Sequence, residues 1–270
     1  MLFRSALLAF GLSLVLVPAC RAMARRLGFV ARPRADRWHG RPTALLGGVA
    51  IALTVIGLHL VFIGVHGLPV LLVAATAMFA IGLVDDVVSL RPVTKLVFEI
   101  AVASFLVFFN YRLGWAQSLT LDTLLTVFWI VGLTNAFNLL DNMDGLCAGL
   151  SVVAGTGVLV AFRLNGIDGP QATHLALVIG AAAGFLVYNF NPASIFMGDS
   201  GSLFLGLNLS VLTLGTRGGG HASGSLISIM AAPALILMVP ILDTTLVTVS
   251  RILSGRSAAQ GGREIGRAHV

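Results

Sequence analysis

The sequence is poor in charged residues and in cysteine. Only 10% of its 270 residues are Asp, Glu, Lys or Arg, whereas 57% are hydrophobic. Soluble domains carry about a quarter charged residues, so this composition excludes an ordinary soluble domain and predicts a polytopic membrane protein. The two cysteines, Cys20 and Cys147, are too few for a disulfide framework, and no Cys/His cluster has the spacing of a zinc site.

Acidic residues are also scarce, which leaves a net charge of +6. In a soluble protein this balance would indicate nucleic acid as a partner. In a membrane protein it indicates basic residues gathered in cytoplasmic loops and contacts to anionic membrane lipids. We therefore expect no nucleic-acid partner.

Nine apolar stretches are candidates for crossing the bilayer, since a spanning helix needs about 20 apolar residues. They cover residues 3–20, 44–64, 68–84, 95–110, 119–137, 146–163, 172–189, 201–216 and 225–249. The predicted fold class is an all-α, polytopic transmembrane helix bundle of about nine spans. Residues 1–257 form the membrane domain, and 258–270 are interpreted as an incomplete cytoplasmic loop or an unrelated tail.

The basic residues predict the orientation of the spans. Seven arginines follow span 1, at positions 21, 25, 26, 32, 34, 37 and 41. Placing that loop in the cytoplasm puts thirteen of the seventeen basic residues on the cytoplasmic side. The prediction is a bacterial cytoplasmic (inner) membrane protein whose N-terminus lies outside.

Four acidic groups then fall at or near one membrane face. Asp85 and Asp86 end span 3, Asp141 and Asp144 end span 5, Asp199 follows span 7, and Asp243 lies in the later half of span 9. The most polar stretch, 135–145, also contains Asn135 and Asn138. Because basic residues alone set the topology, this agreement predicts one shared site on the cytoplasmic side.

Clustered carboxylates at a membrane surface are costly without a cation. Oxygen ligands favour Mg²⁺, or alternatively Mn²⁺, and Mg²⁺ completes its shell with water and substrate phosphates. Asp85 and Asp86 point about 100° apart on a helix, so they are not expected to chelate one ion together. We expect one carboxylate near the metal and the other accepting a proton or orienting the acceptor. The alternative is a solvated helix end paired with Arg91 and Lys95.

The stretch 196–202 places Asp199 between glycines at the start of span 8. Its backbone N–H groups could face an anion, or Asp199 or Ser200 could cap the helix. Glu99 is interpreted as a helix N-terminal charge. Four scattered histidines, His59, His66, His174 and His221, receive no predicted role.

Five ordered motifs together resemble the polyprenyl-phosphate N-acetylhexosamine-1-phosphate transferase family. They lie at 42–51, 82–86, 135–146, 188–202 and 240–244. The resemblance implies transfer of a sugar-1-phosphate from UDP-N-acetylhexosamine to undecaprenyl or another polyprenyl phosphate, with release of UMP. It also implies a Mg²⁺-dependent site and the first step of a lipid-linked cell-envelope glycan.

The same resemblance assigns roles to individual residues. Asp199 is the implied Mg²⁺ ligand, and Asp85, with Asp86 beside it, is the implied catalytic base on the lipid phosphate. Substrate-binding roles are implied for Asn138, Asp141, Asp144 and Asn189. Direct attack and a two-step route through an aspartyl-phosphate stay open, as does the choice between monomer and homodimer.

Two alternatives to this function remain. One is a phospho-MurNAc-pentapeptide transferase, and the other is an ion-coupled membrane transporter. The chain also departs from the family pattern, because residues 264–270 lack the expected His motif. We therefore expect a truncated form with poor activity.

Overall fold

The computed structural model describes residues 2–31, 43–214 and the isolated residues 246, 249, 250 and 253. Each of the first eight predicted spans coincides with a helix. The helices are α1 (Leu2–Leu27), α2 (Gly47–Phe62), α3 (Pro69–Val88), α4 (Pro92–Phe108), α5 (Leu119–Leu140), α6 (Leu146–Leu164), α7 (Pro170–Asn189) and α8 (Gly198–Leu212). The ninth predicted span, with Asp243, and the segment 258–270 lie outside the described residues.

Within the described ranges, five helices are long and apolar enough to cross a membrane: α1, α3, α5, α6 and α7. The apolar helix α2 is shorter, at 16 residues. A multi-pass, mainly helical membrane protein is therefore confirmed, whereas the predicted count of about nine spans is not.

Helices α1 and α7 form the most extensive helix pair. Gly180 and Gly184 lie four residues apart on α7 and allow close approach to α1; a Cβ atom on Gly180 would lie 2.2 Å from the carbonyl oxygen of Ala6. The Ser13 hydroxyl donates to the Ala181 carbonyl at 2.9 Å. Small residues that bring backbones together, supported by such hydrogen bonds, are typical of helix pairs in membranes.

Helix α8 occupies the centre of the described bundle. Every residue from Ser200 to Leu212 is buried, and the helix packs on α3 and α5. A helix that is covered on all sides needs no polar face. Its 15 residues extend about 22 Å, which is less than the hydrocarbon thickness of about 30 Å.

A short two-stranded sheet was not predicted from the sequence. Strands β1 (Val30–Ala31) and β2 (Thr43–Ala44) pair antiparallel, and Ala44 also bridges Ile195. A strand of two residues is too short to show the alternation of apolar and polar residues by which strands are predicted from sequence. Next to this sheet, the Gly47 N–H donates to the Phe196 carbonyl at 2.9 Å, which fixes the start of α2 against the segment that precedes α8.

Candidate active site

One end of the bundle collects the polar ends of several helices. The C-terminal ends of α3, α5 and α7 meet the N-terminal ends of α2, α4 and α8 there. The predicted site residues in this region are Asp85, Asp86, Asn138, Asp141, Asp144, Asn189 and Asp199. The structure therefore brings the predicted acidic groups together, as the alternation of spans indicates, except Asp243, which is not among the described residues.

Lys95 lies at the centre of this site. Its ammonium contacts Asp199 Oδ2, lies 3.1 Å from Asp85 Oδ2 and donates to Asn138 Oδ1 at 3.3 Å. The Lys95 side chain is only 12% exposed. The alternative of a solvated helix end was thus right that Lys95 pairs with Asp85, but the pair is largely buried and includes Asp199.

Asn138 connects the cluster to the first turns of α8. Its amide nitrogen donates to Asp199 Oδ1 and to Ser202 Oγ, both at 2.9 Å. Its amide oxygen, facing Lys95, is left as an acceptor for a positive group. Asn138 therefore donates to one carboxylate oxygen of Asp199, and its own amide oxygen accepts from the Lys95 ammonium.

The start of α8 is capped by carboxylates from two other helices. Asp86 Oδ1 accepts from the Asp199 N–H at 2.7 Å, and Asp86 Oδ2 accepts from the Ser200 N–H at 3.0 Å. Asp141 Oδ2 accepts from the Gly198 N–H at 3.1 Å. The anionic groups that these N–H groups face are therefore carboxylates of the protein itself, whereas the prediction that Asp199 or Ser200 caps the helix was wrong, because Met197 is at the cap position.

Asp144 and Asn189 tie two loops together. Asp144, between α5 and α6, accepts from the Ala193 N–H at 2.9 Å. In return, Asn189 at the end of α7 accepts from the Gly145 N–H at 3.0 Å and donates to the Ile195 carbonyl at 3.0 Å. Asn189 is only 2% exposed, so its amide is committed to holding the segment before α8.

The site combines an acidic group of raised pKa with several oxygen atoms around one ammonium. Burial raises the pKa of the Asp141 carboxyl well above its usual range, and the negative charge of Asp199 adds to this shift. The three oxygen atoms around the Lys95 ammonium, from Asp85, Asn138 and Asp199, are of the type that Mg²⁺ binds. No group of three or more His, Cys, Asp or Glu side chains in the described part of the chain is arranged to hold a metal ion, so a divalent cation here would rely on two carboxylates and one amide oxygen, completed by water and substrate phosphates.

Sequence reasoning missed a second polar pair behind this cluster. Glu99, interpreted as a helix N-terminal charge, is fully buried on α4, beyond its first turn. Its Oε2 accepts from the Asn135 amide, and its Oε1 has no hydrogen-bond partner among the described residues. The signal in the sequence was the four-residue spacing from Lys95, which places both side chains on one face of a helix.

Two of the histidines, His59 and His174, form a polar chain with Asn208 away from the acidic site. His59 Nδ1 lies 2.8 Å from His174 Nδ1, and His174 Nε2 lies 2.7 Å from Asn208 Oδ1. All three residues are buried. His59 lies in the last turn of α2, whereas the acidic site adjoins the first turn of the same helix, so this chain belongs to a different level of the bundle.

The chain is similar to a known protein family and to several named proteins. The model of glycosyl transferase family 4 matches residues 68–216. A probable undecaprenyl-phosphate N-acetylglucosaminyl 1-phosphate transferase of Bacillus subtilis is 36% identical over 258 residues, covering 89% of this chain and 69% of that protein. The decaprenyl-phosphate N-acetylglucosaminephosphotransferase of Mycobacterium tuberculosis is 34% identical, covering 88% and 68%.

A relative with a different name is also similar. The phospho-N-acetylmuramoyl-pentapeptide-transferase of Lactobacillus helveticus is 33% identical over 211 residues. This match covers 68% of the chain and 65% of that protein, compared with 89% of the chain for the Bacillus subtilis relative.

Proposed function

Because the chain belongs to glycosyl transferase family 4, we propose that it transfers N-acetylhexosamine-1-phosphate from a UDP-sugar to undecaprenyl or another polyprenyl phosphate. UMP is released, and the product is the first lipid-linked intermediate of a cell-envelope glycan. The observation that carries this proposal is the convergence of Asp85, Asn138 and Asp199 on one buried ammonium. Such a site suits a diphosphate together with a cation.

The chemistry is a displacement at the sugar-bearing phosphorus. An oxygen of the lipid phosphate attacks that phosphorus, and the bond to the oxygen bridging to UMP breaks. Lys95 would leave its carboxylate partners to pair with the donor diphosphate, where a positive charge offsets the charge that develops on the leaving UMP. The site would also align the two phosphates for in-line attack.

Mg²⁺ is part of the proposal, with Mn²⁺ as an alternative. Asp199 would hold it, with Asp85 and the Asn138 amide oxygen close by. When bound, the ion would neutralise the diphosphate and improve the leaving group. The support is the set of oxygen donors that surrounds Lys95.

Asp85 is the proposed proton acceptor from the lipid phosphate. One of its oxygens is held by the Leu90 N–H at 2.6 Å, and the other faces the Lys95 ammonium. A carboxylate held on one side and open to the cluster on the other is suited to this role. Direct and two-step displacement both remain compatible with this geometry.

The other substrate-binding roles stay predictions. Asp144 and Asn189 make internal hydrogen bonds that shape the segment before α8, and a contact of Asn189 to the uridine would have to form on this framework. We also propose that the site faces the cytoplasm of a bacterial inner membrane with the N-terminus outside, which the distribution of basic residues supports.

Phospho-MurNAc-pentapeptide transfer is the second candidate, favoured by the relative from Lactobacillus helveticus. The deciding experiment supplies membranes containing the chain with undecaprenyl phosphate, Mg²⁺ and either UDP-GlcNAc or UDP-MurNAc-pentapeptide. We expect a lipid-linked product and stoichiometric UMP with UDP-GlcNAc, abolished by EDTA and restored by Mg²⁺. Product with the pentapeptide donor alone would favour the second candidate, and cation flux without either product would favour a transporter.

A further inference from the structure

Asp85 and Asp86 are neighbours in sequence but have different surroundings. Asp85 directs one oxygen to the Lys95 ammonium, whereas both oxygens of Asp86 accept backbone N–H groups of α8. Consecutive residues of a helix point about 100° apart, so the end of α3 sends one carboxylate into the ammonium cluster and the other to α8. The two carboxylates therefore do not share a partner, because Asp86 is engaged with the α8 backbone and Asp85 with the Lys95 ammonium.

The contact between Asp86 and α8 is closely packed. Gly198 has a φ of +74°, and a Cβ atom there would lie 2.7 Å from both carboxylate oxygens of Asp86. One turn earlier on α3, a Cβ atom on Gly82 would lie 2.5 Å from the Asp199 carbonyl oxygen. The two backbones therefore approach so closely that the Asp86 carboxylate is enclosed against the first turn of α8.

Asp141 completes the same cap from the end of α5. The first N–H groups of a helix have no partner within it, and a negative charge at this end is stabilised by the helix dipole. Met197, which precedes α8, supplies no side-chain hydrogen bond. Asp86 and Asp141 together accept from the N–H groups of Gly198, Asp199 and Ser200. Asp199, whose side chain faces Lys95, therefore lies within the capped turn.

We propose that Asp86 and Asp141 are positioning residues, whose carboxylates fix the first turn of α8 and so hold the Asp199 side chain in the direction of a bound divalent cation. This inference rests on the proposed function, because it takes Asp199 as the cation ligand. Hydrogen bonds to the first N–H groups of a helix, which have no partner within it, are suited to such a role. Losing a group that orients a metal ligand typically weakens metal binding about 10–100-fold.

The test measures cation binding without substrate. The full chain is purified in detergent, and Mn²⁺ binding is titrated by electron paramagnetic resonance for the wild type, Asp86→Ala, Asp86→Asn and Asp141→Asn. Asp168→Asn is the matched control, because Asp168 forms an exposed ion pair with Arg163. We expect the Mn²⁺ Kd to rise about 10–100-fold for Asp86→Ala and less for Asp86→Asn, which keeps one acceptor oxygen.

Turnover distinguishes positioning from proton transfer. Saturating Mn²⁺ should restore kcat of Asp86→Asn to within about tenfold of the wild-type value, with an unchanged pH profile, since the proton acceptor is still present. An unchanged Kd for both Asp86 variants, or turnover that stays lost at saturating Mn²⁺, would overturn the inference. If Asp86→Ala does not fold, Asp86→Asn and Asp141→Asn decide the matter, because both keep the side-chain volume.

Failure of the proposed function has a separate result. A wild-type chain that binds Mn²⁺ but forms no lipid-linked product would refute the transfer reaction, while the Kd values would still decide the positioning role. A wild-type chain that forms product but binds no Mn²⁺ would overturn the positioning inference alone.

Discussion

Lys95 on α4 and Asp199 on α8 form an ion pair across the candidate site, although 104 residues separate them in sequence. The ammonium also contacts Asp85 and Asn138. A divalent cation bound to Asp199 would need the same oxygens, so the cation and the ammonium compete for them. A variant that lacks the ammonium should therefore bind the cation more tightly but turn over more slowly.

Replacing Lys95 by Met should tighten Mn²⁺ binding but slow the reaction. Without the ammonium, Asp199 has no competing positive charge, and the loss of one charged hydrogen bond corresponds to a change in Kd of about tenfold. Turnover should fall about 10²–10³-fold, because the group proposed to pair with the diphosphate is gone. Arg91→Met is the control, since Arg91 is an exposed residue at the start of the same helix. Weaker Mn²⁺ binding by Lys95→Met would contradict the competition.

Asp199→Asn should abolish the Mg²⁺-dependent reaction. The amide keeps the size of the side chain but removes the negative charge that a divalent ion requires. We expect turnover to fall at least about 10²-fold and Mn²⁺ binding to be lost in the same titration, with Asp168→Asn again as the control. Retained Mg²⁺-dependent turnover would refute the assignment of the ligand.

Removing the partner of Glu99 should destabilise the fold. Asn135→Ala leaves a fully buried carboxyl group without its hydrogen-bond donor, which costs about 1–3 kcal/mol. Thermal unfolding in detergent measures this as a lower Tm. The double variant Glu99→Leu/Asn135→Leu should recover most of the loss, because no polar group is then left unpaired. A Tm of Asn135→Ala equal to that of the wild type would show that the pair does not stabilise the fold.

Gly48→Ala and Gly57→Ala form a matched pair on α2. A Cβ atom on Gly48 would lie 2.2 Å from the Gly201 nitrogen, whereas one on Gly57 would meet nothing within 4 Å. Gly48→Ala should therefore lower stability by about 1–3 kcal/mol or more, and Gly57→Ala should raise it by up to about 1 kcal/mol. The Tm of each variant measures the difference. Equal effects would mean that the close approach of α2 to α8 is not needed for stability.

The helices could be predicted because apolar length is encoded locally. Each of the eight described helices overlaps a predicted span, including α8, whose polar start at Asp199 is visible in the sequence. The gathering of the site at one end could also be predicted, because alternating spans return every second boundary to the same side.

The partners of each side chain could not be predicted from these patterns. Nothing in the sequence distinguishes Asp86, which binds the α8 backbone, from Asp85, which faces Lys95. Which of the two carboxylates contacts α8 depends on the rotation of α3 about its axis and on the glycines that let α8 approach α3. Glu99 and Asn135 pair across two helices in the same way, and local spacing carries no information about such a contact.

The packing of α1 on α7 has a consequence for the biogenesis of the protein. Helix α1 leaves the ribosome before α7, and the Ala181 carbonyl that receives the Ser13 hydroxyl is synthesised 168 residues after Ser13. At about 5–20 residues per second this delay is about 8–30 s. Throughout that interval α1 lacks its main helix partner, so the nascent chain depends on the insertion machinery or on lipid to shield the α7-facing side of α1 until α7 arrives.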